Sequence, residues 1–113
     1  MLFNGLSERS RNDSKTKITY FAKGFLVKRD GDFRVWAISP TYKANSVDDL
    51  RKQIACDFET NENWAGGVFK VLRFDGRAKV NKGEIDCGIP ISFIEYGELS
   101  VDELRRARKL VAG

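Results

Sequence analysis

The sequence predicts an α+β domain: a mainly antiparallel sheet of four or five strands with two helices on one face, in the order ββα-ββ(β)α. Three observations carry this expectation. The hexamer Ser46-Val47-Asp48-Asp49-Leu50-Arg51 returns as Ser100-Val101-Asp102-Glu103-Leu104-Arg105, each time after a stretch of hairpin character. β-Branched and aromatic residues flank Asp30-Gly31, and a second Asp-Gly pair follows at Asp75-Gly76. Val47, Leu50, Ile54 and Phe58 recur at helical spacing and form one apolar stripe, which needs a sheet to cover. A chain of 113 residues with eight Phe, two Trp and three Tyr can bury one core of domain size without disulfides or a structural metal.

From Ser7 to Lys17 no residue is apolar and the charges are mixed, so residues 1–16 read as a mobile arm and 17–113 as the domain. Arg9, Arg11, Lys15 and Lys17 make the arm partly basic, but Glu8 and Asp13 dilute it. The first hairpin spans Lys17 to Ser39. With Asp30 and Gly31 as its two-residue loop, Phe25 would face Trp36, Val27 would face Arg34, and Arg29 would face Asp32. Strand alternation then places Ala22, Gly24, Leu26, Phe33, Val35 and Ala37 on a small, apolar face suited to a helix. The opposite face carries Phe21, Lys23, Phe25, Val27, Arg29, Arg34, Trp36 and Ile38, with aromatic and cationic groups interleaved.

Pro40 stops the second strand, and Thr41 to Asn45 read as a plain connection. Ser46 is a helix cap whose side chain can accept the Asp49 amide, with Asp48 and Asp49 at the positive end of the helix dipole. Glu59 to Gly67 has loop composition and includes Trp64. Val68 to Phe74 restores strand character, Arg77 to Val80 is a short return strand, and Ile89 to Tyr96 is a strand with Pro90 near its start. Ser100 and Glu103 form a capping box, with Leu99 and Leu104 as the hydrophobic staple. Because a Ser cap, two acids and a Leu suit many helix starts, the repeated hexamer is as readily convergence on one physical solution as duplication.

Composition removes several chemistries. There is no histidine, so the commonest general base and metal ligand at neutral pH is missing. Neither phosphate-loop nor dinucleotide-binding glycine patterns occur. Helix starts account for Asp48, Asp49, Asp102 and Glu103, and turns for Asp30, Asp32 and Asp75, leaving few carboxylates for catalysis. Cys56 and Cys87, one on a helix and one on a strand, read as buried free thiols without metal or redox spacing. No catalytic residue, cofactor or metal is therefore expected.

The formal charge of +4 permits attraction to phosphate without requiring it. No signal peptide or membrane span is written in the sequence, so a cytoplasmic location and no membrane partner are expected. The binding candidates are Phe25 and Trp36 framed by Lys23, Arg29 and Arg34, a combination that would stack bases and track phosphates of single-stranded nucleic acid. A competing reading has Phe21, Phe25, Trp36 and Ile38 covered by the arm or the second hairpin, with Arg34 stacking on Trp36 and Arg29 pairing with Asp32. Trp64 is either an interface anchor or a lid on one end of the core. Arg105 and Arg106 either contact phosphates or form a solvated helix face.

The expected function is a small non-enzymatic binding module acting on nucleic acid or a nucleic-acid-handling protein. The alternative is a protein-protein modulator without nucleic-acid contact, an inhibitor or antitoxin-like accessory protein of the kind encoded by phage or mobile elements. Nucleic acid and a protein are thus the two candidate partners, and no oligomeric state is specified.

Overall fold

The strand β1, Ile18–Asp30, runs through the middle of the molecule and carries partners on both edges. The structure, a computed structural model, describes residues 18–75, 80–81, 84–85 and 88–113. On one edge of β1, Tyr20 to Ala22 pair with β3 (Tyr42–Ala44), and Phe25 to Asp30 pair with β2 (Phe33–Ile38). The other edge pairs with β4 (Trp64–Asp75), which pairs in turn with β7 (Ile89–Gly97), completing a five-stranded antiparallel sheet. The short strands β5 (Val80–Asn81) and β6 (Glu84–Ile85) form a separate two-stranded ribbon. Helix α1 spans Val47–Thr60 and helix α2 spans Val101–Ala112.

This is the α+β class with an antiparallel sheet and two helices, but the helices do not share a face. Leu50 and Ile54 of α1 are fully buried against Ala22, Phe69, Val71 and Ile94. Ala107 and Val111 of α2 pack on Val68 together with Phe25 and Trp36. Val68 and Phe69 are neighbours on β4 and point to opposite faces, so the helices sandwich the sheet. The physical reason is that both faces are apolar. Phe25, Val27 and Val68 could not be left wet while a single helix covered the other side.

The hairpin turn also differs from expectation. Asp30 pairs with Phe33, so Gly31 and Asp32 make the turn, with Gly31 at φ 62°. A positive φ at the first turn position suits glycine and would strain Asp30. Phe25 consequently lies opposite Ile38, Val27 opposite Trp36, and Arg29 opposite Arg34. The shift is by an even number of residues, which leaves each side chain on its expected face.

Where β2 ends, Ser39 holds the chain to β1: the Gly24 amide donates to Ser39 Oγ at 2.8 Å and the Ser39 amide donates to the Gly24 carbonyl at 2.9 Å. The chain past Pro40 then rejoins β1 as β3, so the expected connection over Thr41 to Asn45 contains a strand. Tyr42 donates its hydroxyl to Asp57 Oδ2 at 2.7 Å and ties β3 to α1. Burial, followed by the Asp57 carboxylate, pushes the Tyr42 phenol well above its usual range.

Strand β4 begins at Trp64 rather than Val68, and α1 runs to Thr60, so the expected loop over Glu59 to Gly67 shrinks to Asn61–Asn63. Pairing with β1 and β7 on both edges overrides the low strand preference of Gly66 and Gly67. The further partner of β4 is β7, and Val80 pairs with Ile85 in the β5–β6 ribbon. The arm over 1–16, the completion of the Asp75-Gly76 turn, residues 77–79 and Cys87 lie outside the described residues. Cys56 is exposed on α1 rather than buried, because it lies off the Leu50 and Ile54 stripe. No helix among the described residues is long and apolar enough to cross a membrane.

Candidate functional site

The residues singled out in the first hairpin separate into fastenings and an open surface. Arg34, at the start of β2, reaches the first turn of α2. Its Nε donates to Glu103 Oε2 at 2.7 Å, and its Nη2 donates to Glu103 Oε1 at 2.8 Å and to the Glu98 carbonyl at 3.1 Å. Glu103 is fixed in turn by the capping box, accepting the Ser100 amide at 2.9 Å while its own amide donates to Ser100 Oγ. The Arg34 guanidinium draws the Glu103 carboxyl down to about 2, and Glu103 raises Arg34. Trp36 is half-buried beside Phe25, Leu99 and Leu104, and the Arg106 guanidinium lies 5.3 Å from its ring centroid. Arg34 and Trp36 therefore clamp α2 onto the hairpin; the cover over Trp36 is α2, and the cation on its ring is Arg106 rather than Arg34.

The other candidates are dispersed. Arg29 donates Nη1 to the Glu62 carbonyl at 3.1 Å, not to Asp32, and so anchors the α1–β4 connection. Trp64 sits on the α1 side, edge-on to Phe58 at 5.2 Å, closing one end of the core. Arg105 is exposed, 3.8 Å from Asp102 one helical turn earlier. Arg106 belongs to the Trp36 stack rather than to an open basic patch. Phe25 and Lys23 are the only members of the expected set that remain together at an open surface.

That surface is a groove of about 510 Å³ beside the C-terminal end of α2, lined by Lys23, Phe25, Ile38, Lys70, Leu72 and Leu110 among others. Ile38 is 68% and Leu110 41% exposed. Its floor contains an unusual pairing, since Lys23 on β1 lies directly opposite Lys70 on β4. Like charges in directly opposed positions are destabilising. Neither lysine makes an ion pair among the described residues. Two lysines thus line one partly apolar groove.

Sequence reasoning reached Lys23, Phe25 and Ile38 through strand alternation but missed Lys70, Leu72 and Leu110. Lys70 is the only charged residue in the run Val68 to Leu72. That signal becomes informative only once the β1–β4 register sets it against Lys23. No cluster of acidic or cysteine side chains suited to a metal ion occurs among the described residues. No protein-family model matches the chain, and comparison with curated proteins and with solved structures likewise finds no match.

Proposed function

We propose that the chain is a non-enzymatic protein-binding module, a modulator that receives an apolar segment bearing acidic side chains in the groove between the sheet and the end of α2. The observation that carries this reading is the Lys23–Lys70 pair set in aliphatic walls. A carboxylate bridging the two ammonium groups would relieve their repulsion, while Ile38, Leu72 and Leu110 would be covered by apolar partner atoms. Single-stranded nucleic acid is the weaker reading. The groove offers Phe25 and two cations, but Trp36 and Arg34, which would have supplied stacking and phosphate contact, are engaged with α2.

The test compares the parent chain with Ile38→Asp and Lys70→Glu. A partner recovered from cells that express the chain natively should be retained by the parent and lost, by about tenfold or more in affinity, from each variant. Fluorescence anisotropy with labelled single- and double-stranded oligonucleotides runs in parallel. Steeply salt-dependent oligonucleotide binding that weakens in Lys23→Ala would replace the protein reading with the nucleic-acid one.

A further inference from the structure

Strand β7 closes the sheet on one side, and its outer edge has no partner strand among the described residues. The phase of its backbone follows from a single hydrogen bond: the Glu98 amide donates to the Ala65 carbonyl at 3.0 Å, just beyond the opposed pair Gly66 and Gly97. In an antiparallel ladder this makes Gly66–Gly97 a wide pair, and hydrogen-bonded pairs alternate with wide ones from there. Tyr96, Ile94 and Ser92 therefore address β4, while Phe93 and Glu95, opposite Lys70 and Val68, direct their N–H and C=O groups outward. The same phase extended across β4 to β1 turns Gly24 away from β4, where Ser39 meets it.

The outward edge is not flat solvent. Phe93 and Glu95 line a cleft of about 740 Å³ whose walls come from both helices, Arg51 of α1 on one side and Arg108 and Ala112 of α2 on the other. Phe93 is 45% exposed. Arg108 is paired with Glu95 at 2.5 Å, and Arg51 has no ion-pair partner among the described residues. The start of the edge is blunted by Pro90 and by the irregularity between Val71 and Leu72, devices that discourage strand pairing. Phe93 to Glu95 carries no such device and no partner strand among the described residues.

We infer that the β7 edge is a strand-addition site for an extended, acidic segment of a partner protein, a second interface distinct from the groove and independent of it. Main-chain bonds from Phe93 and Glu95 supply attachment, and alternation of the incoming strand supplies selectivity. Side chains on its α2 side meet Phe93, and those on its α1 side meet Arg51. Charge selects this occupant over a second copy of the chain. Pairing β7 with itself would bring two copies of Arg51 and Arg108 together against only two of Glu95.

The test uses short synthetic peptides on the full chain, one alternating valine with glutamate and one alternating valine with lysine. Hydrogen exchange resolved by residue should find the Phe93 and Glu95 amides unprotected in the free chain and slowed at least about tenfold by saturating glutamate peptide, with no effect of the lysine peptide. Arg51→Glu, at an exposed helix position, should weaken the glutamate peptide by about tenfold in fluorescence anisotropy. Glu95→Pro, which removes an outward amide and no bond to β4, should abolish the peptide's slowing of exchange at the Phe93 amide, whereas Lys70→Glu in the groove should leave that slowing in place. Four results would overturn the inference: amides already protected in the free chain, equal binding of the two peptides, no slowing at saturating glutamate peptide, or a dimer in sedimentation that Glu95→Pro dissociates.

Discussion

Glu103 holds three groups at once: the Arg34 guanidinium from the hairpin, the Ser100 amide at the helix start, and, through its own amide, the Ser100 hydroxyl. These interactions, the Arg34 hydrogen bonds foremost, hold its carboxyl at about 2 against an ordinary 4.5. A carboxylate whose value is depressed by folding stabilises the native state fully above its unfolded value, and the contribution fades as pH falls through the folded one. The stability difference between the parent and Glu103→Gln should therefore be constant above about pH 5 and shrink between about 4.5 and about 2. Urea unfolding across that range measures it, and a difference that grew on acidification would contradict the linkage. The Ser100 box and the Ser46 cap were both readable from residue order, because capping uses residues within one helical turn. Arg34 as the partner of Glu103 was not, since the two are far apart in the chain.

At the scale of elements, α2 is the more weakly held helix. Leu50 and Ile54 seat α1 deep in one core, whereas α2 rests on the small side chains Ala107 and Val111 and on a rim of partly exposed contacts. Exposed ion pairs of the Arg108–Glu95 kind add little in water. Trp36→Ala should cost about 2 kcal/mol, below the roughly 3–5 kcal/mol of a fully buried tryptophan, because the ring is half-buried. In native-state hydrogen exchange, α2 amides of this variant should exchange earlier than those of α1, with α1 little changed. Equal acceleration in both helices would show that Trp36 serves the whole domain rather than the α2 contact. The helix boundaries were legible from caps and periodicity, but which sheet face each helix covers was not. An amphipathic stripe states that a helix needs a surface, without saying which one.

The whole molecule is organised by the antiparallel register of β1 and β4. A Cβ at Gly24 would lie 1.9 Å from the Val68 carbonyl oxygen, so Gly24→Ala must push the central strands apart. It should destabilise the domain by more than about 3 kcal/mol and lower the midpoint of a single cooperative transition in thermal denaturation. A loss confined to the β2–β3 edge would count against this account. The sequence by itself determined the α+β class, the hairpin over β1 and β2, both helix starts and the membership of the two hairpin faces, because these depend on local propensity and on strict alternation. It did not determine the short strand β3 after Pro40 or the glycine-rich start of β4, where pairing with distant segments outweighed composition. Only the tertiary structure decided that Arg34 and Trp36 are fastenings, that Lys23 faces Lys70, and that β7 lies at the end of the strand order among the described residues. Each of these depends on cross-strand register and on which face a helix covers, and both are settled by contacts between residues far apart in the chain.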